Sequence, residues 1–219
     1  MSEFGPHGMP GWVALLIAYL SGSIPTAYLA GRLLKGVDLR TVGSGNLGAT
    51  NVYRNLGAVP AVIVLLIDAA KGYLPVLLLP HRVAGVWAFE RQEYTLWAIA
   101  FGVAAIFGHL KPIFLLWKGG GKGVATAAGV FGALVPAALG VALIAFIVVA
   151  AGSGYVSLAS IVAALTLAIA TPMFAAGNVP LIVTAAVVGV AVVAMHGKNI
   201  QRLRAGTEPK TFGKKKEVV

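Results

Sequence analysis

The chain has 219 residues, of which 58% are hydrophobic and only 11% charged, and its mean hydropathy is +0.88. A soluble domain carries roughly 25% charged residues, so an ordinary soluble fold is excluded and an all-α integral membrane protein is indicated. Seventeen Lys and Arg against seven Asp and Glu give a net charge of +10. These bases lie in short loops and a tail beside apolar runs. They therefore read as a topology signal and an attraction to anionic lipid headgroups rather than a nucleic-acid surface.

Met1–Gly11 carries Glu3 and no Lys or Arg, and the apolar run after it is too long for a signal peptide, so that run is read as a retained span. Trp12–Leu34 is the first span, kinked by Pro25 in its middle. A polar run follows, Gly43–Arg54, read G-S-G-N-L-G-A-T-N-V-Y-R. Leu56–Pro80 is the second span. It carries Asp68 and Lys71 on one helical face. Each would cost about 2.5–3.5 kcal/mol alone at the bilayer centre, so they are expected to face the bundle and pair. A structural pair is the favoured reading, and a direct substrate role is the alternative. His81–Glu93 is a loop of balanced charge. Tyr94–Leu116 is the third span, interrupted near Gly108, His109 and Pro112. A second glycine-rich loop, K-G-G-G-K-G at Lys118–Gly123, precedes the apolar run Val124–Ala150. Gly152–Ser160 is a small-residue break. Val156–Ala176 and Val179–Met195 are the last apolar runs, and a basic tail starts at His196.

Charge distribution sets the number of spans. Four bases lie around the first polar run, three around the second loop and seven in the tail. If Val124–Ala150 is one crossing, the tail falls opposite the two basic loops, against the positive-inside rule. If it is two short helices split near Pro136–Gly140, there are seven crossings and all three basic regions face the cytoplasm, with the N-terminus outside. The second arrangement is preferred.

Gly43–Arg54 holds glycines, a serine, amides and an arginine but no acid. That is donor chemistry without compensating negative charge, as in an anion site. On this stretch alone, a flexible interhelical loop is an equal reading. Lys118–Gly123 repeats the logic ahead of a helix N-terminus, which favours anions. It is no nucleotide P-loop, because Lys122 is followed by Gly123 and no strand precedes it. His109, with no acid nearby in sequence, reads as structural or interfacial before catalytic. H-G-K-N-I-Q-R-L puts His196 and Asn199 on one helical face with Arg202 a turn further on. The competing reading is a membrane-exit helix whose bases contact lipid phosphates. The acids are scattered, so no metal site is expected, and no G-x-S-x-G elbow is present. The fifth residues after the four histidines are Trp12, Val86, Phe114 and Gln201, which excludes an H-x-x-x-x-D acyltransferase. An organic-anion transporter would use similar broken helices and Asp68. The chain, however, has no half-to-half repeat, and its donors cluster on one face.

Taken in order, these motifs resemble the bacterial PlsY membrane acyltransferases. The matching segments are residues 43–54, L-I-D-A-A-K-G (66–72), G-H-L-K-P-I-F (108–114), K-G-G-G-K-G-V-A-T (118–126), Y-V-S-L-A-S-I (155–161) and H-G-K-N-I-Q-R-L-R-A-G-T-E (196–208). The family's usual second loop is K-G-G-K-G, and the extra glycine here shifts Lys118 relative to Lys122. The resemblance covers a single transmembrane domain, 1–208, and leaves 209–219 as a basic cytoplasmic tail. It implies transfer of a fatty acyl group from acyl-phosphate to the 1-hydroxyl of glycerol 3-phosphate. The product is lysophosphatidic acid, for phospholipid synthesis. It also implies a site facing the cytoplasm in the bacterial plasma membrane, among membrane lipids, with no cofactor, metal or nucleic acid. Ser44, Arg54, Lys122, His196 and Asn199 match catalytic positions. Gly43, Asn46 and Asn51 in the first loop match substrate-binding positions. So do Lys118, Gly119, Gly120, Gly121, Gly123 and Thr126 in the second loop, and Ser157 and Arg202 beyond it. An acyl-phosphate is already activated, so alignment and charge stabilisation by Lys122 and Arg54 suffice. The proton passes to His196 or to a donor phosphate oxygen, and the resemblance favours the latter.

Overall fold

A computed structural model describes residues 8–83 and 91–211. Lys214, Lys215 and Lys216 of the tail and residues 84–90 of the expected 81–93 loop lie outside the described residues. Regular structure among the described residues is helical, apart from one isolated bridge between Met9 and Val83. The chain divides into two compact units, Met1–Leu134 and Val135–Val219.

In the first unit, the expected kinked first span is built of two helices, α1 (Gly11–Ser23) and α2 (Thr26–Lys35), which together make one apolar segment of crossing length. Pro25 lacks an N–H and disfavours helical backbone at Ile24, which adopts ψ 114°. Gly36, at φ +67°, ends α2 in the left-handed conformation that lets Val37 N reach Gly31 O at 3.1 Å. The polar run Gly43–Arg54 is a loop only to Gly48, because α3 occupies Ala49–Leu56. Then come α4 (Ala58–Leu78), α5 (Arg91–Leu110) and α6 (Val124–Leu134). Because α5 starts at Arg91, the end of the expected 81–93 loop is helix. The third span runs over Glu93–Leu115, one residue from the expected bounds. The chain bends at Lys111–Pro112 into a short 3₁₀ turn, Ile113–Leu115, and Leu116 and Trp117 take left-handed φ of 51° and 58°.

Backbone contact holds this unit together. A Cβ on Gly22 would collide with the Ala105 carbonyl, and one on Gly129 with the Ala69 carbonyl. These glycines let α1 approach α5 and α6 approach α4. Lipid provides no hydrophobic drive between helices, so such close packing supplies the association.

In the second unit, α7 (Pro136–Ser153) packs on α8 (Val156–Phe174), and α8 on α9 (Val179–Met195). The expected split near Pro136–Gly140 falls at Val135, because Pro136 suits the first helical position while Gly140 is tolerated inside α7. The halves of 124–150 are therefore unequal. α6 has 11 residues and α7 has 18, so only one is short. The expected break over Gly152–Ser160 narrows to Gly154–Tyr155, which places Ser157 and Ser160 in the first turns of α8. The last helix, α10 (Gly197–Arg204), bends 57° from α9 at His196.

Five segments are long and apolar enough to cross a membrane: Gly11–Lys35, Ala58–Leu78, Glu93–Leu115, Pro136–Ser153 and Val156–Phe174. The bent pair α9–α10 makes a sixth, and α6 is a shorter apolar helix.

Candidate active site

The two glycine-rich loops, separate in sequence, meet in the first unit. Leu47 N donates to Gly120 O at 3.2 Å, and Arg40 Nη1 donates to Lys118 O at 3.1 Å. Arg40 also grips Asp38 through Nη2 at 2.6 Å and Nε at 3.0 Å. The Arg40 guanidinium lies 5.0 Å from the centre of the Tyr28 ring. The hydrogen bond from Arg40 holds the Asp38 carboxyl down, from an ordinary 3.8 to about 2, against the effect of burial. A depressed carboxyl contributes stability above the unfolded value, and that stability is lost as pH falls through the folded one. Asp38→Asn should therefore lower the Tm at pH 7, and its gap from wild type should close between about pH 4 and pH 2 in a thermal-unfolding series. An Asp38→Asn gap unchanged at pH 2 would contradict the pairing.

Asn51 shapes the first loop from inside. Its Nδ2 donates to Leu39 O and Val42 O, both at 3.1 Å, and its Oδ1 accepts from Ser44 N at 3.1 Å and Asn55 Nδ2 at 3.1 Å. It is 1% exposed, so its amide is consumed within the loop and it acts through loop shape. Gly43, at φ +63°, sits against Asn51 Oδ1 where a Cβ would not fit. Ser44 and Arg54 are exposed, Arg54 in the last turn of α3, and Asn46 is half-buried.

The second loop is pressed onto the end of α5. Gly121 N donates to His109 O at 3.2 Å. A Cβ on Gly121 would collide with the His109 ring, one on Gly120 with the Leu110 carbonyl, and one on Gly119 with the Arg40 side chain. All three glycines are thus used sterically, and the third is no idle insertion. Lys118 is exposed, Lys122 half-buried and Gly123 buried, and α6 starts at Val124 with its N–H groups next to the loop. Thr126 is fully buried, its Oγ1 without a hydrogen-bond partner.

Asp68 and Lys71 pair as expected, at 2.7 Å. The sequence reading missed their company. Thr26 Oγ1 donates to Asp68, and His109 Nδ1 lies 3.8 Å from Asp68 Oδ1. His109 therefore has an acid beside it after all, brought by α4 rather than by its own segment.

The other expected residues belong to the second unit. His196 is 2% exposed with Nδ1 2.7 Å from Val192 O. A carbonyl only accepts, so Nδ1 carries the proton. Asn199 and Arg202 do share a face. Asn199 Nδ2 and Arg202 Nε each donate to Glu208 at 2.6 Å. Burial alone would raise the Glu208 carboxyl, but the bonds from Asn199 and Arg202 outweigh it and hold it low. Ser157 is buried beside that carboxylate, outside hydrogen-bond geometry. Glu208 was passed over because its partners lie six and nine residues back across a turn at Gly206, φ +70°. An acid directly after a basic helix was the available signal. Beyond it, Thr211 N donates to Gly154 O at 2.8 Å.

Comparison with known proteins gives consistent results. The profile of the glycerol-3-phosphate acyltransferase family matches residues 12–206. A glycerol-3-phosphate acyltransferase of Geotalea daltonii is 43% identical over 90% of this chain and 95% of its own length. That of Geobacter sulfurreducens is 47% identical over 88% and 93%. Among solved structures, the glycerol 3-phosphate form of PlsY, an integral membrane glycerol 3-phosphate acyltransferase, superposes with a TM-score of 0.79. It has 37% identity and covers 93% of this chain and 96% of its own. The lysophosphatidic acid form of PlsY gives a TM-score of 0.77 at 36% identity, over 93% and 95% of the two chains.

Proposed function

Because the chain belongs to the glycerol-3-phosphate acyltransferase family, we propose that it takes a fatty acyl group from an acyl-phosphate and places it on the 1-hydroxyl of glycerol 3-phosphate, releasing lysophosphatidic acid and phosphate. The family makes it a multi-pass membrane acyltransferase. The donor, the site residues and the orientation are the further reading. The observation that carries it is the junction of the two glycine-rich loops, closed by the Leu47–Gly120 and Arg40–Lys118 hydrogen bonds.

Both substrates carry phosphate, and the loops supply donors without acids between them. In the reaction, the hydroxyl oxygen of glycerol 3-phosphate attacks the acyl carbonyl carbon. The carbon–oxygen bond to phosphate breaks, and phosphate leaves with the electron pair. The hydroxyl proton goes to a phosphate oxygen of the donor. Lys122 and Arg54 stabilise charge on the carbonyl oxygen and leaving phosphate, with Ser44 and loop N–H groups holding the phosphates. Since the leaving group is good, orientation does most of the remaining work and no protein nucleophile or cofactor is needed. In the second unit, His196 has its Nδ1 proton committed to Val192 O, and Asn199 and Arg202 hold Glu208, so these side chains are taken as positioners rather than as the proton acceptor. The seven apolar segments of the two units are all taken as crossings, with α6 the short one, the N-terminus outside and the basic loops in the cytoplasm of the plasma membrane.

The test is direct. Purified protein is given glycerol 3-phosphate with palmitoyl-phosphate, palmitoyl-CoA or a palmitoylated carrier protein, and lysophosphatidic acid is measured. Product from the acyl-phosphate alone is expected. Product from either thioester and none from the acyl-phosphate would overturn the donor assignment.

A further inference from the structure

The α4 turn from Asp68 to Gly72 is a meeting point of four segments of the first unit. Asp68 accepts a hydrogen bond from Thr26, the first residue of α2. Lys71 pairs with Asp68 and donates to Ile24 O at 3.0 Å, filling a carbonyl freed by the Pro25 break. His109, in the last turn of α5, is next to Asp68. Gly72 lies so close to the Thr126 backbone, in the first turn of α6, that a Cβ would not fit. Thr26, Asp68, Lys71 and His109 are all buried.

His109 and Thr126 bracket the second glycine loop in the chain, so one turn of α4 touches both its entry and its exit. At the entry the contact is intimate. Gly121 is bonded to His109 O and packed against the ring of the residue that Asp68 faces. Thr26, Lys71 and His109 line a water-sized cavity of about 10 Å³ together with Leu47, Gly120 and Gly121. Well-packed apolar side chains would hold these helices as well as a buried ion pair does. Ionisable groups kept inside a membrane protein mark function by default, and here their contacts lead to the glycine run.

We infer that Asp68, Lys71 and His109 are positioning residues that seat Gly119–Gly121 so that the loop N–H groups and Lys122 face the phosphate of glycerol 3-phosphate. The inference rests on the reading that these loops hold that substrate. They touch no reacting atom. They set where the loop sits.

Two measurements test this on the full chain: steady-state kinetics, and the rise in Tm on adding glycerol 3-phosphate without donor. The double variant Asp68→Leu with Lys71→Met removes both charges together and leaves no unpaired ion. Its Tm without ligand should stay near that of wild type, its KM for glycerol 3-phosphate should rise about tenfold or more, and its kcat should stay within about threefold. Its ligand-induced Tm rise should vanish. A KM within about twofold of wild type, with the Tm rise kept, overturns the positioning role. If the double variant does not fold, Thr26→Val and His109→Gln carry the test. Each should raise KM about threefold with kcat unchanged, and no rise in either overturns the inference. A wild type that shows the Tm rise but makes no product from acyl-phosphate overturns the donor assignment alone. A wild type with no Tm rise overturns substrate binding at these loops, and the positioning role with it.

Discussion

Arg54→Ala is expected to lower kcat/KM for glycerol 3-phosphate by about 10²–10³-fold, the usual effect of removing one donor aimed at transition-state charge. Its Tm should stay within a few degrees of wild type. Arg54 is exposed in the last turn of α3, so truncation opens no cavity in the core. The fork of a guanidinium holds phosphate by two parallel hydrogen bonds, which an ammonium does not reproduce. Arg54→Lys should accordingly recover only part of the activity. Steady-state kinetics and thermal unfolding on the same preparations separate the two quantities. Activity kept with stability lost would mean that the run Gly43–Arg54 is no anion cradle.

Asn51→Ala is expected to fail on both counts. The amide satisfies two backbone carbonyls, one backbone N–H and a second side-chain amide. Removing it orphans groups that cost about 1–3 kcal/mol each when buried without a partner. At roughly 2–4 °C per kcal/mol for a chain of this size, the Tm should drop by about 5–15 °C. Ser44 should lose its anchor, and kcat/KM should fall by about 10²-fold as the loop loses its shape. Asn51→Asp should be no milder, since a carboxylate cannot donate to Leu39 O and Val42 O. An Asn51→Ala protein with full activity would show that loop shape does not matter to the reaction. Set beside Arg54→Ala, this variant separates a loss of activity at kept stability from a loss of both.

Much of this was readable from residue types, because the relevant forces are local. Pro25 and Pro136 end helices by removing an N–H and crowding the residue before. The apolar runs declare their lengths, and Asp68 and Lys71 are a helical turn apart, so their pairing follows from the geometry of one helix. What could not be read depends on segments far apart in sequence. His109 meets Asp68 only because α4 and α5 pack together, and no spacing within either helix encodes that. The Arg40 link to Lys118 arises where two loops cross, and the steric need for Gly120 and Gly121 where the second loop meets the end of α5. Glu208 was hidden by a turn. Treating Gly43–Arg54 as one loop failed because A-T-N-V-Y-R has little apolar content, yet buries Asn51 and Val52 on one side of a short helix.

The bond between Leu47 and Gly120 has a consequence for the protein's birth. The contacts of Asn51 lie within one short stretch, residues 39–55, and need no later part of the chain. The first loop can therefore take its shape early. Its partner is made only after α4 and α5 have been synthesised and laid into the membrane. Until then the nascent chain carries the first loop without its partner, beside a surface rich in phosphate headgroups. Closure by Gly120 therefore comes late, and the junction of the two loops is completed only once α5 has been made.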